Sequence, residues 1–203
     1  MTDVRYNFND CYARGRVGEG LCGRWLIYDG GWNILPAYEI EIPSGKGPRL
    51  FTPGEQLIVP DIFAMKYQKR KLLCRWYEAK HKERFTWRWT DAKSWQTGID
   101  LKHYLDYIKV QERTKVEVYL LFLHRSSLPS KYDSEHGSPS TCPTGLYGQM
   151  LRHLISHEHH RDSFDRGGRN YPMVYWNEGD LERLATLEEV ETIQAPLWTG
   201  GVA

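Results

Sequence analysis

Cysteine is scarce in this chain. The 203 residues hold four, Cys11, Cys22, Cys74 and Cys142, and none stand in CxxC spacing. That removes a zinc knuckle and a disulfide framework from consideration, and the thiols are expected to be reduced. No apolar run approaches the ~18 residues of a membrane span, and the polar N-terminus lacks the apolar stretch of a signal peptide. A soluble, cytoplasmic chain with no membrane partner is expected. Neither sign of charge dominates: 27 Lys and Arg face 26 Asp and Glu, for a net charge of +1. A generically basic nucleic-acid coat is thereby excluded. Internal repeats are absent. What remains is a hydrophobic content of 40%, enough for a real core, and a length that suits a single domain over residues 1–203.

Charge is balanced overall but unevenly placed. Between Lys66 and Arg88 stand Lys66, Lys69, Arg70, Lys71, Arg75, Lys80, Lys82, Arg84 and Arg88 against only Glu78 and Glu83, whereas Glu178 to Glu191 is strongly acidic. A basic segment of this kind serves encounter and register with a phosphate backbone, or is a solvated hairpin tip. Trp87 and Trp89 alternate with Arg88 there; they either stack on exposed bases or, with Trp95, plug a sheet edge.

Inside the basic segment lies the pattern that carries chemistry. Val59-Pro60-Asp61 is followed, 17 residues after the aspartate, by Glu78-Ala79-Lys80. Leu57 to Met65 is an apolar run broken only by Pro60 and Asp61, Lys66 to Lys71 is polar, and Leu72 to Lys80 is again rich in strand formers. The segment reads as strand, turn and strand. With the turn centred between Lys69 and Arg70, Asp61 and Glu78 are equidistant from it and face each other, ~5 Å apart at Cβ. Glu78 and Lys80 share a face, while Ala79 points the other way and lends its carbonyl. Two carboxylates and a carbonyl suit Mg²⁺, which prefers oxygen ligands and keeps much of its water.

These residues resemble the motif of the PD-(D/E)xK nuclease superfamily, and the context extends the resemblance over about residues 12–125. Gly15 to Leu21, running through Trp25 and Leu26, is similar to the family's first helix with its acidic residue. Gly30-Gly31-Trp32-Asn33-Ile34-Leu35 then reads as a turn and first strand. Ile99 to Glu112 reads as a helix with Leu101, Leu105 and Ile108 on one face, and Val116 to Leu123 as a strand. The resemblance implies an α/β fold of the α+β type, with a mixed sheet and a restriction endonuclease-like αβββαβ core, extended by a C-terminal segment, residues 126–203, that packs on the core. It also implies a Mg²⁺-dependent DNA nuclease, with Mn²⁺ able to substitute, acting in DNA repair, recombination, restriction or a mobile element.

By role, the resemblance makes Asp61, Glu78 and the Ala79 carbonyl the metal ligands and Lys80 the electrostatic catalyst. Glu19 is the candidate third carboxylate, in competition with Glu39, Glu41 and Glu55. Lys69, Arg70, Lys71, Lys82, Arg84 and Arg88 are expected to meet DNA, and Gln96 or Lys102 to supply the further polar group that family members place near the phosphate. Tyr104 and Tyr107 read as ordinary core-edge residues. The Gln-x-x-x-Tyr pairing of some recombination exonucleases is missing, which favours an endonuclease or resolvase-like enzyme. Its partners beyond DNA would be a second copy of the chain or an accessory DNA-processing protein.

Past the core, Arg125 to Pro143 reads as a loop, Gly145 to Gln149 leads into a helix ending near His160, Pro172 to Trp176 reads as a strand, and Leu181 to Val190 as a helix or turn. The tail holds His153, His157, His159 and His160. His153 and His157 have metal-binding i, i+4 spacing, but Leu154-Ile155-Ser156 leaves no Glu for an HExxH site. Two other classes therefore stand beside the nuclease: a catalytically silent nuclease fold serving as a DNA-binding or assembly module, and a zinc-dependent enzyme built on the histidines.

Overall fold

The computed structural model describes residues 8–37, 48–166 and 169–193; Glu39 and Glu41 lie outside them. The chain opens with helix α1 (Phe8–Tyr28), which buries a stripe of Gly18, Leu21, Cys22 and Leu26. Strand β1 (Asn33–Pro36) follows, then the hairpin β2 (Arg49–Thr52) and β3 (Glu55–Ile58), and the long hairpin β4 (Ile62–Gln68) and β5 (Lys71–Lys82). After β6 (Thr86–Arg88) and β7 (Ser94–Asp100) come helix α2 (Leu101–Thr114) and strand β8 (Glu117–His124). The main sheet has the order β1-β4-β5-β8 at this point, with β5 and β8 parallel. Helix, three strands, helix, strand is the αβββαβ order expected, within a mixed α+β fold.

The tail supplies two strands of the same sheet. β9 (Gly145–Met150) pairs with β8, and β12 (Glu182–Ala185) pairs with β9. The expected loop from Arg125 contains a short helix, α3 (Lys131–Glu135). The helix expected to reach His160 is only α4 (Leu151–Ser156), because His160 begins β10 (His160–Arg166), which pairs with β11 (Arg169–Asn177). The His159 amide already donates to the Tyr175 carbonyl, so the ladder, and not the helical period, sets the conformation. β10-β11-β7-β6 form a second, antiparallel sheet. Helix α5 (Leu187–Thr192) closes the described chain.

β8 runs through the centre and is buried along nearly its whole length, which is why Val118 to Leu123 is unbroken apolar sequence and does not alternate. On one face of the sheet, Val118, Leu120 and Phe122 pack with Tyr104, Tyr107, Leu151 and Trp176. On the other, Tyr119, Leu121 and Leu123 pack with α1 through Leu21, Cys22 and Leu26.

Two local expectations change. The apolar run from Leu57 to Met65 is not one strand: β3 ends at Ile58 in its own hairpin and β4 begins at Ile62 in the main sheet. Pro60 marks the break, since it has no amide to continue a ladder. On α2, the face turned to the core carries Tyr104, Tyr107 and Val110, all within 1% of full burial, while Leu105 is exposed. Leu101 and Ile108 pack partly against that core, and with Leu105 they flank a surface groove against Tyr171 and Pro172. The tyrosines take the inner positions because each hydroxyl reaches a carboxylate there, Tyr104 that of Glu158 and Tyr107 that of Glu78.

The β4–β5 turn is Lys69-Arg70, as its symmetry implies, with Gln68 opposite Lys71. Both residues have positive φ, 48° and 62°, the conformation of a type I′ turn, which favours Asn-Gly. Lys69→Asn with Arg70→Gly should therefore stabilise the fold by about 1 kcal/mol. Urea unfolding checks this, and an unchanged or lower midpoint would contradict the turn geometry.

Candidate active site

The site forms where one strand outlasts its neighbour. β4 begins at Ile62, paired with Tyr77, whereas β5 continues through Glu78 to Lys82. Beyond Tyr77 the ladder on that side has stopped, and the Ala79 amide is met by a side chain: it donates to Asp61 Oδ2 at 3.0 Å. In a strand, the N–H and C=O of one residue point to the same side, so the Ala79 carbonyl faces this open edge too. Asp61 precedes β4 in the register that would set it opposite Glu78, as the turn symmetry implies.

Glu78 is 1% exposed, and the Lys80 ammonium, 27% exposed, is bound to its Oε1. Neither Glu78 oxygen has a well-aligned hydrogen bond. α1 brings the third carboxylate. Its approach depends on Gly18, where a Cβ would stand 2.5 Å from the His81 Cβ, so any larger residue would lift the helix off β5. One residue on, Glu19 Oε2 is buried, 3.7 Å from Arg16 Nη1, and the Glu19 charge is felt by Asp61, Lys80 and Cys22. The competing Glu55 is held on the surface by Lys109 and Arg113.

The electrostatics show too little positive charge for three carboxylates. Burial, reinforced by Glu78 and Glu19, pushes the Asp61 carboxyl well above its ordinary value, against the opposing pull of Lys80 and the Ala79 amide. Burial likewise raises Glu19, against Arg16 and Lys80. For Lys80, burial opposes the charge, yet Glu78 and Asp61 outweigh it and hold the ammonium above its usual range. Burial, with Asp61 and Glu19, pushes the Cys22 thiol up to about 12.

Helix α2 adds two residues that the sequence reading missed as site residues. The Tyr107 hydroxyl lies against Glu78; burial first, then Glu78 and Asp61, raise it well above a normal phenol. His103, one turn earlier, has a buried Nδ1 without a hydrogen bond, and burial and Lys80 lower its pKa, keeping the ring neutral. Their i, i+4 spacing on the helix that follows the Glu-x-Lys motif was the available signal.

The expected DNA contacts divide. Lys82 continues the face of Glu78 and Lys80. Lys69, Arg70 and Lys71 sit at the hairpin tip, roughly 23 Å along β5 from Glu78. Arg84 donates to the Leu128 carbonyl, and Arg88 faces Asp91 and Asp162. Lys102 is exposed on the first turn of α2. Gln96 is a correction: it is 3% exposed and its amide donates to Asn177, so it ties β7 to β11 and does not face a ligand. Trp87 and Trp95 stack edge to face across β6 and β7 and plug that sheet, while Trp89 points outward.

The histidines meet only in pairs, with His159 Nδ1 2.9 Å from His160 Nδ1. The His153 and His157 rings are stacked 3.9 Å apart, and His160 stacks on Tyr175. Among the described residues no three His, Cys, Asp or Glu are gathered as metal ligands would be, which removes the support for the zinc reading. At the carboxylates, Lys80 occupies Glu78. Even so, the donor set fits a hard divalent cation: buried oxygens of Glu78 and Glu19 without a well-aligned hydrogen bond, a strand carbonyl on the same edge and unmatched negative charge.

No family model matches the sequence, and no curated protein matches it. Among solved structures, Hjc of Archaeoglobus fulgidus, a Holliday junction resolvase from an archaeal hyperthermophile, overlaps 80% of this chain and 90% of its own at 9% identity, with a TM-score of 0.39. An overlap that loose carries no weight about activity.

A carboxyl whose folded pKa is raised contributes stability below its unfolded value, and that contribution is lost as pH rises through the folded one. For Asp61 the loss begins above about pH 4. Without metal, Asp61→Asn should thus melt higher than wild type near neutral pH and above, by roughly 3 °C or more, with the gap closing on acidification. Added Mg²⁺ should raise the wild-type melting temperature increasingly with pH and leave Asp61→Asn unmoved. Thermal melts across pH check both, and a wild type that outlasts Asp61→Asn in metal-free alkaline buffer would contradict the strained carboxylate.

Proposed function

We propose that the protein is a divalent-metal-dependent DNA nuclease, an endonuclease or resolvase-like enzyme that hydrolyses phosphodiester bonds. The observation that carries this reading is the cluster of Asp61, Glu78, Glu19 and Lys80 at the open end of β5. Asp61, Glu78 and the Ala79 carbonyl would hold Mg²⁺ or Mn²⁺, with Glu19 beside them. The ion would lower the pKa of a bound water and neutralise charge on the scissile phosphate.

The chain's own groups do the rest. Asp61, anchored by the Ala79 amide, fixes one carboxylate against the strand. The Tyr107 hydroxyl steadies Glu78 from α2, so that its charge stays in place when Lys80 turns from Glu78 to phosphate. Lys80 then orients the attacking water or stabilises charge developing on the phosphoryl oxygens. His103, neutral and adjacent, adds no competing charge. Lys82 on the same face guides the backbone into the site, the exposed Lys102 offers a further phosphate contact, and the Lys69, Arg70 and Lys71 tip offers a remote grip.

Asp61→Asn and Glu78→Gln should each abolish Mg²⁺-dependent cleavage of a panel of supercoiled, linear, branched and single-stranded DNA while leaving the fold intact. Lys80→Ala should slow single-turnover cleavage by about 10²-fold or more with little change in affinity, and Tyr107→Phe by roughly tenfold. Wild-type rates in either carboxylate variant would sink the assignment.

Replacing Lys69, Arg70 and Lys71 together with Ala should weaken DNA binding and flatten its salt dependence, because each phosphate contact releases about one counterion. The cleavage rate at saturating protein should survive. A salt slope equal to wild type would place the tip away from DNA.

A further inference from the structure

On the face of the main sheet opposite Glu78 lies a cavity of about 380 Å³ with no part in the site above. Its walls include Trp25 of α1, Trp32 before β1, Tyr77 of β5 and Tyr119 of β8, together with Lys66 and Arg75. The register explains the gathering: Ala64 stands opposite Arg75, Ile62 opposite Tyr77, and Tyr77 beside Tyr119. Alternation therefore sends Lys66, Arg75 and both tyrosines to one face.

Two features point to a ligand class. The first is aromatic: Trp32 meets Tyr77 edge-on at 5.6 Å and Tyr77 meets Tyr119 at 5.5 Å, so three largely buried rings packed on one another form one side of the space. Pockets of ~300 Å³ upward bind small molecules. The second is cationic. Lys66 Nζ lies 4.4 Å from the Trp32 ring centroid and the Arg75 guanidinium carbon 5.5 Å from it. The two charges are thus within about 10 Å of each other, the order of a Debye length at 0.1 M salt. Lys66 donates to a neutral partner, the Gly30 carbonyl at 3.2 Å. Arg75 shares its carboxylate, Glu117, with Arg152. Asp29, just after α1, also lines the cavity; set against Lys66, Arg75 and Arg152, it and Glu117 leave a net positive charge of one beside the aromatic rings.

We propose that this cavity binds a nucleotide, with the phosphate taken between Lys66 and Arg75 and the planar base lodged against the aromatic walls. Both the ring and the anion are needed. An aromatic wall alone would suit any apolar molecule, and two cations alone any anion. A free mononucleotide and the phosphorylated end of a DNA strand share this chemistry. The inference stands apart from cleavage, since it uses none of Asp61, Glu78, Glu19 or Lys80.

The test uses the full chain in EDTA, with the Trp32 indole N–H resonance identified by Trp32→Phe. Deoxyadenosine monophosphate should shift that resonance saturably. Lys66→Ala and Arg75→Gln should each weaken binding by about tenfold or more, while Asp61→Asn should bind like wild type. Lys66→Gln, which keeps the length of the side chain, substitutes should either variant fail to fold. A short single-stranded oligonucleotide with a 5′-phosphate that binds more tightly than both the mononucleotide and its 5′-hydroxyl counterpart identifies a strand end. Tighter binding by the mononucleotide identifies a free ligand. The proposal is overturned by an unmoved Trp32 resonance at millimolar nucleotide, by inorganic phosphate binding equally well, or by cation variants that bind like wild type.

Discussion

The end of the β4 ladder is the constraint from which the candidate site follows. A strand amide left without its neighbour inside a protein must find another acceptor or bear the cost of desolvation. Here the acceptor is a carboxylate, Asp61, supplied by the residue just before β4 starts. That choice places a negative charge at a buried edge, and the adjacent Glu78 and Glu19 compound it. Lys80 offsets part of the excess. The remainder shows in carboxyls that hold their protons above the ordinary range. A fold optimised for stability alone would not gather these groups; their cost is the kind tolerated at sites that do chemistry.

The hairpin was legible because its symmetry is arithmetic: with Lys69 and Arg70 at the turn, the register from Gln68 and Lys71 back to Ile62 and Tyr77 is fixed. β8 was legible as an unbroken apolar run, and α1 from the likeness of Gly15 to Leu26 to a nuclease family's first helix. The break at Pro60 was visible as a residue but not as a change of sheet, since a proline only ends a ladder and does not say where the chain goes next. The inner face of α2 was misread because hydrophobicity favours Leu105 over tyrosine, while burial depended on hydroxyl partners at Glu158 and Glu78 that are distant in sequence. Helix α4 stops short because the edge of β11 captures the chain at His160. Gln96 read as a free polar group because its partner, Asn177, lies far down the chain.

The basic segment divides on folding into three places. The tip carries Lys69, Arg70 and Lys71, the middle of the hairpin turns Lys66 and Arg75 towards Trp32, and the far end brings Lys80 to Glu78. One run of positive residues thus serves a solvated turn, an aromatic chamber and an ion pair. Strand alternation, invisible in a simple charge count, makes that division.

Cys22 closes the account of the carboxylate edge. Its sulfur is fully buried within the electrostatic reach of Asp61 and Glu19, and its thiol is pushed up to about 12. Stripping that proton at pH 7 costs on the order of 7 kcal/mol. Thiolate is the form of cysteine that soft ions prefer, and burial keeps this sulfur in its thiol form. The carboxylate edge thus sets oxygens beside a capped sulfur: burial first, and then the charge of Asp61 and Glu19, holds the proton on Cys22.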